Sequence, residues 1–161
     1  MTPFWYPEAV VQLLKDHSAP GTLAQRNLIV LHITSGPTAY SAIQTFINSV
    51  HPNRVSAHFV IDRDGTVYQL LSIEDTAWHA SAVNSRSIGI EHAGSLALPC
   101  TDAQYAASAA LISWCCNQIG VPCDREHVRT HNECSPQDGH PGCCTDALDP
   151  DRVIALVNPP T

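Results

Sequence analysis

Two short runs dominated by isoleucine, valine and leucine stand out along the chain: Leu28-Ile29-Val30-Leu31-His32-Ile33 and Ser87-Ile88-Gly89-Ile90-Glu91. Each is the length of a strand, and such near-continuous apolar character suits strands covered on both faces of a sheet. Between and around them the pattern alternates. Residues 57–61 and 66–71 read as a hairpin joined through Asp62-Arg63-Asp64-Gly65, whose Asp-Gly favours a tight turn. Val128-Arg129-Thr130-His131 reads as a last short strand.

Helical spacing fills the gaps. Residues 7–17, apolar at Ala9, Val10, Leu13 and Leu14, predict a short amphipathic helix that Pro20-Gly21 ends. Residues 42–50 repeat apolar side chains at Ile43, Phe46, Ile47 and Val50, with Ser41 as the expected N-cap and His51-Pro52 as the terminator. A long Ala-rich helix starts at Thr101-Asp102-Ala103-Gln104 and stops at Gly120-Val121-Pro122. Asp149 caps a closing helix whose first residue is Pro150. Strands and helices in this order predict an α/β fold with a mixed central β-sheet flanked by helices.

Length and charge narrow the picture. With 161 residues and 44% hydrophobic content, residues 1–161 suit a single domain, with 158–161 as the start of a linker or tail. Eight Lys and Arg against fifteen Asp and Glu leave a net charge of -7, which excludes an extended phosphate-tracking surface and so argues against nucleic acid. No stretch approaches the roughly 20 apolar residues of a membrane span. The N-terminus lacks the basic-then-apolar form of a secretory signal, so synthesis in the cytoplasm as a monomer without membrane insertion is expected.

The titratable residues carry the chemistry. All seven cysteines lie in the second half. Cys115 and Cys116, inside the Ala-rich helix, read as small core hydrophobes, while Cys100, Cys123 and Cys134 sit in turn-rich segments where a disulfide is conceivable. There are no paired CxxC motifs of a structural zinc ribbon. A single strand-end histidine such as His32 is usually no ligand, but His131 and the Cys/His-rich loop after it supply the company from which zinc sites are built. His17, His51 and His127 lie beside turns or helix ends and are expected in solvent; His58, His79 and His92 have no clear assignment.

Six ordered motifs, Ile29-Val30-Leu31-His32, Val55-Ser56-Ala57-His58-Phe59-Val60-Ile61, Asp64-Gly65-Thr66-Val67-Tyr68-Gln69, Ala77-Trp78-His79-Ala80, Ile88-Gly89-Ile90-Glu91 and Thr130-His131, resemble the zinc-type N-acetylmuramoyl-L-alanine amidases. That family includes amidase-type phage lysozymes, anhydromuropeptide amidases and animal peptidoglycan-recognition proteins. The resemblance implies one Zn2+ on the floor of a groove that holds the glycan-peptide junction of peptidoglycan. It implies His32 and His131 as metal ligands and Glu91 as the acid that activates the attacking water. Where the phage lysozymes have a tyrosine before the second-motif histidine, this chain has Ala57, which leaves the base role to Glu91 alone.

The third ligand departs from the family pattern of Cys-Pro-Gly or Asp-Pro-Gly. Aligning on Pro141-Gly142 selects His140, nine residues after His131. Aligning on Asp146-Ala147-Leu148 and the closing helix selects Cys143, twelve residues after. Cys143 is preferred because the helix fixes the end of the loop and insertions are tolerated within it; His140, Cys144 and Asp146 stay open. With Cys143 on the metal, His140 would take the catalytic role of stabilising the oxyanion. Trp78, His79, Asn84 and Arg86 are the expected substrate-binding residues, with Arg86 suited to a stem-peptide carboxylate and core packing an equal alternative for Trp78.

The function expected is hydrolysis of the bond between N-acetylmuramic acid and L-alanine by the catalytic domain of a phage or prophage endolysin, released to the cell wall through a separate membrane pore. The alternatives are a cytoplasmic anhydromuropeptide-recycling amidase and a peptidoglycan-binding module without catalysis.

Overall fold

A computed structural model describes residues 4–138, 143–144 and 146–159. In chain order the strands are β1 (Val10–Val11), β2 (Ser18–Ala19), β3 (Leu28–Ile33), β4 (Phe59–Ile61), β5 (Val67–Gln69), β6 (Thr76–Ala77), β7 (Ser87–His92) and β8 (Val128–Thr130). The helices are α1 (Ala39–Asn48), α2 (Asp102–Ile119), the single turn α3 (His131–Cys134) and α4 (Pro150–Val157). Every residue of β3 is buried. That follows from its place in a six-stranded sheet of order β1-β5-β4-β7-β3-β8, where it has parallel partners on both sides. The sheet is mixed, since β4 is parallel to β7 but antiparallel to β5.

Strand periodicity sorts the side chains between two cores. Ile29, Leu31 and Ile33 of β3, with Ile88 and Ile90 of β7, pack against Leu111, Ile112 and Cys115 of α2 and Val153 of α4. Leu28 and Val30 face the other way, toward Ala80 and Val83, while Val60 and Leu70 join Ile43 and Phe46 of α1. His32, Ser87, Gly89 and Glu91 therefore belong to this second face. Cys115 and Cys116 are buried among the α2 contacts as expected.

Three local expectations are corrected. Residues 7–17 form no helix: Val10 and Val11 pair with Tyr68 and Gln69 as an edge strand, and the pairing continues through Gln12 N–H to Gln69 O and Leu14 N–H to Leu70 O. Two adjacent β-branched residues with an open sheet edge beside them satisfy their backbone there instead of in a helical turn. The helix expected at residues 42–50 is α1, which starts earlier and ends at Asn48. Thr38, not Ser41, is its cap, with a side chain that accepts from Ser41 N–H. The last strand closes at Thr130, and His131 opens α3.

The long helix matches its expected punctuation. Thr101 caps α2 in a reciprocal arrangement with Gln104, and Gly120 ends it in the left-handed region at φ 71°. Asp149 caps α4 through its side chain, which accepts from the N–H groups of Asp151 and Arg152.

One buried cation ties the second face together. Arg26, 2% exposed, donates to the carbonyl oxygens of Ile73, Glu74, Asp75 and Ser85. It thus staples the segment before β6 to the segment before β7. Arg26→Ala would leave several buried carbonyls without donors, at about 1–3 kcal/mol each where water cannot replace them. The variant is expected to lose at least ~3 kcal/mol in urea denaturation, and a loss within ~0.5 kcal/mol would show that the carbonyls are solvated without it.

Candidate metal centre and groove

Parallel strands bring their carboxyl ends to one edge, where open α/β sheets commonly place their sites. In the β3–β7 pairing His32 lies opposite Glu91. In the β3–β8 pairing Leu31 lies opposite Thr130, so the next residue, His131, falls beside His32. Their ring centroids are 4.8 Å apart. Cys143 completes the group: its Sγ is 4.0 Å from His32 Nδ1, and donor atoms of His32, His131 and Cys143 all lie within 4.8 Å of one another.

The loop that delivers Cys143 is anchored just downstream. Ala147 and Leu148 are buried in the α2–α4 core, Cys100 N–H donates to Ala147 O, and Asp149 N–H donates to the Tyr105 hydroxyl. Cys144 points inward: it is buried and its Sγ contacts Leu31 O. Asp146 is exposed. The structure thus groups Cys143 with the two histidines and places Cys144 and Asp146 elsewhere, while His140 lies outside the described residues.

Electrostatics follow from this crowding. Hydrogen bonding from Cys144, then from His131 and His32, pulls the Cys143 thiol far below its ordinary range, against the effect of burial. Burial also acts to lower the His131 pKa, but hydrogen bonds to Cys143 and Asp138 outweigh it and raise the value. Burial pushes the Glu91 carboxyl up to about 7; His32 and His131 oppose that shift and Cys143 adds to it. Glu91 Oε2 is buried with no hydrogen-bond partner among the described residues. Two imidazoles, a readily ionised thiol and an unpaired carboxylate oxygen beside them fit a zinc site of the three-ligand, catalytic kind.

The other histidines sort by face. His92 is fully buried on the α2 side, between His32 O and the Ser108 hydroxyl, and burial lowers its pKa to about 4. His58 is fully buried too, with Nδ1 accepting from Gly89 N–H and Nε2 bonded to Asp75 O. Both serve the scaffold. His17 corrects the expectation of exposure: at 8% exposed, it bridges Lys15 O and Ser49 O, because the edge segment packs against the end of α1.

Two adjoining cavities of about 520 and 560 Å3 form a groove over the centre, sharing Val55, Trp78, His79 and His131 as walls. Trp78 lines both and so belongs to the groove. Asn84 borders one, but its Oδ1 accepts from the N–H groups of His79 and Ala80 and so shapes the loop. Arg86 lines neither cavity: it is exposed and donates to Asn27 Oδ1. Among the described residues the groove is lined by the cation Arg54, which donates through Nη1 to Asp16 O while its buried Nε has no partner. Sequence reasoning missed Arg54, and also Asp138, which accepts from His131 Nε2 at 3.0 Å and is held by Ser81 N–H and Oγ. Only Asp138's place seven residues after His131, on the loop leading to Cys143, could have hinted at it.

Comparison with known proteins agrees with this geometry. The family model described as N-acetylmuramoyl-L-alanine amidase matches residues 23–150. The chain belongs to that amidase family. It is 39% identical over 71 residues to the 1,6-anhydro-N-acetylmuramyl-L-alanine amidase AmpD of Haemophilus influenzae, a match covering 39% of each chain. It is 36% identical over 102 residues to N-acetylmuramoyl-L-alanine amidase A of Achromobacter lyticus, covering 62% of this chain and 56% of that protein. The matched stretches therefore span between about two fifths and just over half of these relatives. A selenomethionine derivative of AmpD superposes with a TM-score of 0.74 at 28% identity, over 96% of this chain and 97% of that one.

The raised Glu91 pKa has a consequence for the metal-free amidase. Between the ordinary carboxylate range, near 4.5, and about 7, the folded chain holds a proton that the unfolded chain has released, so stability falls as pH rises through that window. Glu91→Gln removes the titration while keeping the shape. Its stability relative to wild type is expected to increase from pH 5 to pH 8 in urea denaturation with chelator present. A gap that does not change with pH would mean that Glu91 ionises normally.

Proposed function

We propose that this chain is a zinc-dependent N-acetylmuramoyl-L-alanine amidase that cuts the bond between the lactyl group of N-acetylmuramic acid and the L-alanine of the stem peptide. The observation that carries the reading is the clustering of His32, His131 and Cys143 donor atoms beside Glu91, whose buried Oε2 has no hydrogen-bond partner among the described residues. A zinc ion held by those three residues supplies Lewis acidity and lowers the pKa of water toward ~7.

The remaining work falls to the chain. Glu91 Oε2, with no hydrogen-bond partner among the described residues, accepts the proton of the attacking water and delivers it to the alanine nitrogen as the C–N bond breaks. The products are a muramoyl carboxylate and a stem peptide with a free amine. Trp78 offers its face to the sugar or peptide along the shared wall of the two cavities, and Arg54 is placed to meet a stem-peptide carboxylate. His140, three residues before Cys143 in the sequence, is assigned the oxyanion by the family resemblance alone.

Polymeric wall is the proposed substrate and endolysin the proposed role, because the cavity that holds His32, Glu91 and Cys143 adjoins a second one along Val55, Trp78, His79 and His131, which gives room for more than one small ligand. A second reading, hydrolysis of soluble anhydromuropeptides, is favoured by the similarity to AmpD. Release of N-terminal alanine from sacculi and from an anhydromuropeptide, measured side by side, separates the two. Faster turnover of sacculi is expected, and a strong preference for the soluble compound would reverse the assignment.

Chelation should abolish release from either substrate and zinc restore it; undiminished release from a metal-free preparation would end the zinc reading. Glu91→Gln should keep stoichiometric zinc and lose on the order of 10² or more in kcat. Cys143→Ala should lose zinc under conditions where Cys144→Ala retains it, as read by elemental analysis. The reverse result would move the third ligand.

A further inference from the structure

The face of β7 that looks into the site carries Ser87, Gly89 and Glu91 in alternation, and the mechanism uses only Glu91. Ser87 is fully buried and has one hydroxyl proton. Val83 O lies 2.8 Å from its Oγ and cannot donate, so the proton points there. That carbonyl is itself held, accepting from Arg86 N–H at 3.0 Å.

The direction of the next bonds follows. Ser87 Oγ, its proton committed, accepts from His79 Nε2–H at 3.1 Å. The neutral His79 ring then has a bare Nδ1, which lies 2.9 Å from His32 Nε2, so that nitrogen must donate. What is left on His32 is a bare Nδ1, the atom that faces Cys143. Gly89 makes the chain of bonds possible, because a Cβ there would stand 2.6 Å from His79 Cγ.

We propose that Ser87 and His79, seated over Gly89, are positioning residues that fix His32 as the Nε2–H tautomer and present its Nδ1 as a metal donor. The proposal rests on the zinc reading of the same site and assigns to His79 a role other than substrate contact. Asp138 accepts from His131 Nε2 as His79 Nδ1 accepts from His32 Nε2, so the same ring nitrogen is engaged on both histidines. Partners of this kind typically govern metal affinity by 10- to 100-fold.

The test uses the full chain in two measurements. Long-range proton–nitrogen NMR correlation on histidine-labelled, metal-free wild type should show protons on Nε2 of both His32 and His79. Zinc titration against a competing chelator should give a Kd weakened roughly 10- to 100-fold in His79→Ala. In Ser87→Ala it should be weakened several-fold, with the His79 pattern lost, and Ser87→Thr should restore both. A proton on His32 Nδ1 in the wild type would overturn the proposal. So would zinc affinity within twofold of wild type in His79→Ala accompanied by a raised KM, the signature of a substrate contact. Absence of zinc binding by the wild type would defeat the metal reading alone, since the tautomer measurement still decides the relay.

Discussion

The parallel pairing of β3 with β7 sets the geometry on which everything at the site depends. Six consecutive residues pair, from Leu28 with Ser87 to Ile33 with His92, and the pair lies between β4 and β8. Because side chains alternate, the register that sends Ile29, Leu31, Ile88 and Ile90 into the α2 core also sends His32 and Glu91 to the opposite face, side by side. A slip of one residue would bury the histidine under α2 and expose the isoleucines. The energy that holds the catalytic register is therefore the hydrophobic energy of the far face, and no interaction among the polar residues is required to specify it.

The same logic explains what the site does with its three β7 side chains. A strand of alternating character can place an acid, a gap and a hydroxyl at successive positions of one face while its isoleucines pack on the other. Glu91 stands beside His32, Gly89 leaves the space that His79 fills, and Ser87 ends the hydrogen-bond chain on a backbone carbonyl. Burial does the rest: it raises the Glu91 pKa directly, and crowding against donors lowers that of Cys143.

Much of this was legible in the sequence, and the reasons differ by residue. The strands at 28–33 and 87–92 and the helices at 102–119 and 150–157 were readable because local signals agree with the tertiary outcome there: β-branched runs, a Thr-Gln capping pair, a left-handed glycine, an Asp-Pro start. The segment at 7–17 was misread because its apolar spacing fits a helix, and only the open edge of β5 decides otherwise. Arg86 and Arg54 show the limit for ligand contacts. Both are loop arginines near the groove in sequence terms, yet one is turned to Asn27 and the other lines the cavity, a difference set by backbone paths that no local pattern encodes. Arg26 and Asp138 hold partners about fifty residues away in sequence, and Ser87 reaches His32 only through His79, so their roles appear only once the chain is folded.

The loop after His131 shows how a fold can accept a changed motif while keeping a cysteine beside the two histidines. Cys143 stands within reach of His32 although the usual Cys-Pro-Gly spelling is absent. The anchor lies downstream: Ala147 and Leu148 are buried, Cys100 holds the Ala147 carbonyl, Tyr105 holds the Asp149 amide, and Asp149 caps α4. Upstream, His131 is fixed by β8 and by Asp138. With both ends secured, residues between them can be added at the modest entropic cost of a longer loop, and which residue of the loop comes to stand beside the two histidines depends on its distance from the helix cap and not from His131. Proximity in sequence to His131 would have favoured His140; proximity to a rigid element favours Cys143, and the structure places that cysteine beside the two histidines.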